Sequence, residues 1–324
     1  LGDVYKRQMD RRKKKLRRRR RNRLTAVLLV LMLFFIWLGA RNYMNMEGLG
    51  LPGSGDGGRL SACLEDLYSP SAALVDAGTG EKLGAAGGSR RIYPASMTKI
   101  MTAVVALEHI SSLDETITMP GDFYGQLYEE NASMAGFEPG EEVSYRELLY
   151  GALLPSGAEC CMAFAEKIAG SESGFAEMMN EKARELGMRD THFTNCTGLH
   201  DRKHYSTAED MARLVVYALK NDAFRQAFTS RSYTMASTAF HPGGFTVTST
   251  LFASLSDPSV TGGEILGGKT GYTQEAGLCL ASLAEVNGKE YVLVTAGAPG
   301  DHQSEPYHVL DAVKVYGRIG ENAE

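Results

Sequence analysis

The feature that most constrains this chain is a change of hydrophobic period along it. Ser71–Ala86 (SAALVDAGTGEKLGAA) reads as strand, tight Gly-Thr-Gly turn, strand. Near the other end FTVTSTL (Phe245–Leu251), GLCLASLAE (Gly277–Glu285) and YVLVTAGA (Tyr291–Ala298) alternate or run β-branched, as sheet strands do. The middle has helical spacing. Ser96–Ile110 reads as a buried helix opening at Ser96, and Tyr145–Leu154 and Gly157–Gly170 as two more, separated near Pro155. In Ser173–Gly187 the residues Phe175, Met178, Met179 and Leu186 share an apolar face. Ser206–Asn221 opens with a capping box, Ser206 or Thr207 ahead of Glu209 and Asp210. His308–Ile319 closes the pattern as a helix. Strands at both ends enclosing helices predict one α+β domain whose terminal strands share a sheet.

Net charge alone would mislead. The total is −5, yet residues 1–46 hold 14 Lys/Arg and 2 Asp/Glu, whereas the rest holds 20 and 37. An acidic body argues against nucleic-acid binding, which needs basic patches against phosphates. The basic charge gathers in Arg11–Arg23 and abuts Leu24–Ala40, 17 residues without a charge. By the positive-inside rule, residues 1–23 are expected to be a cytoplasmic tail and 24–40 a transmembrane helix, with the acidic body outside. Leu38-Gly39-Ala40 is a poor cleavage site, so an uncleaved anchor is expected over a removed signal segment. Residues 1–8 precede Met9 and are expected to be a non-native scar. The Gly-rich stretch 41–59 reads as a linker, and 60–324 as the folded domain.

The five cysteines, Cys63, Cys160, Cys161, Cys196 and Cys279, are odd in number and lack a C-x-x-C. They are expected to be small buried hydrophobes. The seven histidines are scattered without an H-E-x-x-H, which argues against a metallopeptidase. His192 and His204 read as loop or packing residues.

Three short motifs could carry chemistry. Ser96-Met97-Thr98-Lys99 places a hydroxyl and an amine one turn apart at a helix start. Serine is a weak nucleophile until a neighbour takes its proton, and a desolvated lysine can be neutral enough to do so. The helix N-terminus adds N–H donors where an oxyanion would form. Lys269-Thr270-Gly271-Tyr272, just before the strand pattern at Gly277, offers a cation, a hydroxyl and main-chain donors to a carboxylate. Its glycine leaves room for an extended peptide. Ser156-Gly157, at a helix–helix turn, supplies a second serine that could relay a proton between Lys99 and a leaving group.

In combination, S-x-x-K, S-G-x and K-T-G resemble the serine DD-peptidases. The phrases P-A-S-M-T-K-I-M-T-A, E-P-G-E-x-V (Glu138–Val143), L-L-P-S-G and E-M-M-N-E-K-A-R-E-L-G-M bring the resemblance close. So do T-H-F-T-N-C-T-G-L (Thr191–Leu199), H-Y-S-T-A (His204–Ala208) and K-T-G-Y-T. From about Ser69 to Tyr316 the chain resembles the D-alanyl-D-alanine carboxypeptidases of the low-molecular-mass penicillin-binding protein type. The resemblance implies the β-lactamase/DD-peptidase fold, an antiparallel sheet flanked by helices with a helical lobe. It implies hydrolysis of the terminal D-Ala–D-Ala bond of peptidoglycan stem peptides, β-lactams as inhibitors, and no cofactor or metal. Ser96 would be the acyl-ester nucleophile, Lys99 its base, and Ser156 the proton shuttle. Lys269 and Thr270 would hold the terminal carboxylate, alongside Gly271 and Tyr272, and the N–H groups of Ser96 and Tyr272 would form the oxyanion hole. One departure stands out: the middle motif is usually S-x-N, and Ala158 occupies the Asn position. Water or a neighbour such as Glu159 must then substitute, or turnover falls. The alternatives are a DD-transpeptidase or endopeptidase with the same residues, or an impaired cell-wall-binding homologue. A class A β-lactamase is disfavoured because no E-x-x-L-N string occurs.

Overall fold

The computed structural model describes residues 60–322. The basic tail, the apolar segment 24–40 and the linker 41–59 lie outside the described residues. Among those described, no helix is long and apolar enough to cross a membrane.

The central element is a six-stranded antiparallel sheet in the order β2-β1-β12-β11-β10-β9. Its N-terminal hairpin is β1 (Ser71–Asp76) and β2 (Lys82–Ala86). The strands between, β3 (Arg91–Ile92) with β6 (Ser206–Thr207), β4 (Thr116–Thr118) with β5 (Glu142–Ser144) and β7 (Ser232–Met235) with β8 (Phe245–Thr248), form separate two-stranded pairs, and the C-terminal part of the central sheet is β9 (Ser259–Val260), β10 (Gly263–Thr273), β11 (Gly277–Val286) and β12 (Lys289–Ala298). β1 lies against β12, with Ser71 opposite Ala296 and Asp76 opposite Tyr291, so the terminal strands do share one sheet. Both faces are covered, which explains the near-continuous apolar runs. Ala73, Val75, Ala281, Val292 and Val294 join the core of the helical lobe. The alternate residues Ala72, Leu74, Leu280 and Leu293 pack against the C-terminal helix Tyr307–Glu321 through Val315, Tyr316 and Ile319. The Tyr316 hydroxyl accepts the Leu293 N–H at 3.1 Å and so ties that helix to the sheet.

The helical lobe surrounds α1 (Thr98–His109), whose residues Thr98–Ala106 are all buried. α2 (Tyr124–Glu129), α3 (Tyr145–Leu153), α4 (Ala158–Ala169), α5 (Glu172–Glu185), α6 (Ala208–Ala218) and α7 (Asp222–Thr229) follow. α3 carries a full capping box, with Ser144 and Glu147 bonded reciprocally.

Three expectations are corrected in detail. The α-helix begins at Thr98, and Ser96 sits one turn earlier in a 3₁₀ turn, Ala95–Met97. Ala95 there is left-handed (φ 46°), which a continuous helix cannot accommodate. Phe245–Thr248 is a strand, but it pairs with Ser232–Met235 in a separate hairpin rather than joining the main sheet. Thr207 caps α6 by accepting the Asp210 N–H at 3.0 Å, but the box is not reciprocal. The Asp210 carboxylate instead accepts from Asp190 N–H and the Thr191 hydroxyl.

Candidate active site

Lys99 is 2% exposed, and its Nζ donates to Ser96 Oγ at 3.0 Å and to the Thr197 carbonyl at 2.7 Å. Burial pushes the Lys99 pKa down, against the pull of nearby Cys161, Cys196 and Glu159. The loop that supplies Thr197 is itself anchored to α1, since the Thr102 hydroxyl donates to the Cys196 carbonyl at 2.6 Å. Gly198 allows the closest approach: a Cβ there would lie 2.0 Å from the Ala95 carbonyl oxygen. The nucleophile turn is therefore wedged between α1 and residues 195–198.

His204 is a packing residue, as its isolated position implies. Its Nδ1 accepts the Thr194 N–H at 3.1 Å, so Nε2 carries the proton and donates to Thr98 Oγ1 at 2.7 Å. Burial lowers its pKa to about 4 from 6.5. A depressed imidazole pKa means that the unfolded chain binds more protons below pH 6.5. The stability it contributes is full above 6.5 and is lost as pH falls toward 4, by at most about 3 kcal/mol. The urea midpoint should drop over that window, and less steeply for His204→Gln. Parallel pH curves for the two proteins would contradict this role.

Lys269-Thr270-Gly271-Tyr272 precedes β11 as expected, and itself lies within β10, the strand that pairs with β11. Beyond Glu264, where β9 ends, the outer edge of β10 has no strand partner among the described residues. Gly271 is also a packing position. A Cβ at 271 would lie 3.0 Å from Ser96 N and 3.2 Å from Ala95 Cβ, so glycine lets the strand meet the nucleophile turn. Thr270 Oγ1 is 2.6 Å from Thr250 Oγ1. Lys269 is fully buried, and its Nζ donates to the Thr270 carbonyl at 2.8 Å. Burial, and then the proximity of Lys99, push its pKa well down. It lines neither cleft described below and lies beneath the strand surface.

Ser156 is 5% exposed, in a left-handed conformation (φ 72°), and its hydroxyl has no hydrogen-bond partner. Such backbone strain at a non-glycine residue gathers at functional sites. Ser156 lines one cleft with Ser96, Ser133, Thr250, Thr270 and Tyr272, of about 250 Å³. A second cleft, of about 490 Å³, is lined by Ser96, Lys99, Ser133, Thr197, Tyr272 and His302. Sequence reasoning did not assign Ser133, Thr197, Thr250 or His302. Thr197 lies in a quoted phrase but contributes only its carbonyl, which no side-chain pattern reveals. All five cysteines are buried, and no metal-holding cluster occurs among the described residues.

A serine hydroxyl hydrogen-bonded by a buried lysine, set against an open strand edge that carries a hydroxyl and peptide N–H groups, is the arrangement that acyl transfer by a serine peptidase requires. The comparisons agree. The family model described as D-alanyl-D-alanine carboxypeptidase matches residues 60–300. The chain belongs to that family. It is 35% identical over 276 residues to D-alanyl-D-alanine carboxypeptidase DacF of Bacillus subtilis, covering 79% of this chain and 64% of that protein. It thus spans just under two thirds of that relative. It is 32% identical to the D-alanyl-D-alanine carboxypeptidase of a Streptomyces strain, over 74% of this chain and 82% of that one. The structure of the Streptomyces K15 DD-transpeptidase superposes with a TM-score of 0.68 at 30% identity, over 78% of this chain and 98% of the other.

Proposed function

We propose that the chain is a serine-type D-Ala–D-Ala carboxypeptidase that removes the terminal D-alanine from peptidoglycan stem peptides. The 3.0 Å contact between Lys99 Nζ and Ser96 Oγ carries this reading. Neutral Lys99 takes the Ser96 proton as Oγ bonds to the carbonyl carbon of the penultimate D-Ala. The negative charge on the carbonyl oxygen is met by the N–H groups of Ser96 and Tyr272. The C–N bond then breaks, and the leaving nitrogen receives the proton from Lys99 through Ser156. Water, deprotonated by the same route, hydrolyses the Ser96 ester and frees the shortened peptide. Thr270, with the field of Lys269 behind it, holds the terminal carboxylate beside Gly271 and Tyr272.

A β-lactam would enter the same site and stop at the ester. Penicillin should therefore add its mass to the peptide that carries Ser96, and Ser96→Ala should remove the adduct. An adduct of equal yield in Ser96→Ala would overturn the assignment. A second reading, transfer to an amine instead of water, uses the same residues. A relative 30% identical over 255 residues is a D-alanyl-D-alanine endopeptidase of Pseudomonas aeruginosa. Product analysis of a pentapeptide with and without an amine acceptor separates the two. We further infer that residues 24–40 anchor the domain outside the membrane through the linker 41–59, with residues 60–324 as the catalytic unit. Fractionation of cells before and after protease treatment from outside tests that placement.

A further inference from the structure

Ala158 leaves the middle motif without its amide side chain, and the neighbouring Glu159 does not fill the gap directly. Glu159 is fully buried and lines neither cleft. Its Oε1 instead accepts the N–H groups of Ala135 at 2.6 Å and Gly136 at 2.9 Å. The same segment is held a second time, because the Ala158 N–H donates to the Ser133 carbonyl at 2.7 Å. Gly157 has no side chain because one would strike this segment: its Cβ would lie 2.7 Å from Ala135 Cβ and 2.9 Å from Ala135 N. Two left-handed residues, Asn131 (φ 51°) and Gly136 (φ 114°), fix its bends. The Ala132 N–H bonds back to Leu127 at the end of α2. These bonds and the packing of Ala132, Met134 and Ala135 against the core hold the segment in place, while the Ser133 side chain stays exposed at the junction of both Ser96 clefts.

We propose that Ser133 is a substrate-binding residue whose hydroxyl bonds the amide on the acyl side of the scissile bond, replacing the contact that Ala158 cannot make. Glu159 is its positioning residue, acting through the 135–136 backbone. A rigid backbone matters here because a hydroxyl that must be ordered on binding loses part of the bond's value to entropy. The inference rests on the D-Ala–D-Ala reading and adds a recognition element specific to this chain.

The test follows D-Ala release by the full chain from an acyl-D-Ala–D-Ala peptide and from an analogue with that acyl-side amide replaced by a trans-alkene, which keeps the shape but lacks both the N–H and the carbonyl oxygen. Ser133→Ala should lower kcat/KM on the amide substrate about tenfold, and Ser133→Thr should restore most of it. On the alkene analogue Ser133→Ala should match wild type. Glu159→Ala should cost a similar factor on the amide substrate, whereas Glu159→Gln, which keeps the accepting oxygen, should not. The double variant Ser133→Ala/Glu159→Ala should be no worse than the weaker single variant, since one residue acts through the other. A Ser133→Ala enzyme within about twofold of wild type on the amide substrate would overturn the proposal. So would equal losses on both substrates, or losses that multiply in the double variant. If Glu159→Ala fails to fold, the exposed Ser133 variants decide alone. Wild type that is labelled by penicillin and releases D-Ala, beside an unaffected Ser133→Ala, defeats only this inference. Wild type that does neither defeats the enzymatic reading and this inference with it.

Discussion

Lys99→Arg is expected to leave a folded protein that acylates about 10²–10⁴-fold more slowly, the range spanned by positioned general bases. The guanidinium stays charged at any pH the fold survives, so it can keep a cation in the site but cannot accept the Ser96 proton. In wild type the acylation rate should rise with pH as Lys99 deprotonates, and the midpoint should lie below the ordinary lysine value of 10.5 because burial disfavours its charged form. The measurement is penicillin acylation against pH for both proteins, with circular dichroism confirming the fold. An arginine variant that acylates near the wild-type rate, with the same pH limb, would exclude a lysine base.

Removing the second buried amine should alter that pH limb as well as substrate binding. Lys99 and Lys269 lie close enough that each cation disfavours the other, and the two ionise as a coupled pair. Without Lys269, the charge that the pair shares falls on Lys99 alone. Lys269→Met should therefore move the acylation limb to higher pH. It should also reduce kcat/KM for a free-acid D-Ala–D-Ala peptide by roughly ten- to hundredfold, as for a lost charge-assisted contact. A C-terminally amidated peptide should be a poor substrate for wild type and should respond only through the shifted limb. Equal losses for both peptides at a pH where Lys99 is fully neutral would refute the carboxylate role.

How far the site was legible follows from the range of the contacts. Ser96 and Lys99 are local: three residues apart at a helix start, they meet whatever the rest of the chain does. Ser133 is legible only once α2, the 135–136 backbone and Glu159 are in place, because nothing in its own neighbourhood marks it. The fold divides in the same way. Hydrophobic period found β1, β2, β11 and β12 of the central sheet but not β9 or β10, whose four glycines break the apolar pattern, and alternation in FTVT could not say which partner it would choose. The glycine of K-T-G reads as room for an extended peptide, and the structure adds a packing role for the glycines just before it: a Cβ at Gly267 would lie 2.3 Å from the Phe228 carbonyl oxygen, and one at Gly268 2.7 Å from that of Ala281. Glycine reports the absence of space as often as freedom of the backbone.

The pairing of β1 with β12 also governs when the molecule can become itself. Ser71 finds Ala296 only after nearly the whole domain has been synthesised. Until then the inner edge of β1 is unsatisfied, and the helical lobe has no sheet to close against. Contacts so distant in sequence slow folding, since the loop must be closed before the sheet rewards it. A chain still on the ribosome is therefore held open by its own topology, and its last fifth acts as the latch that commits the rest.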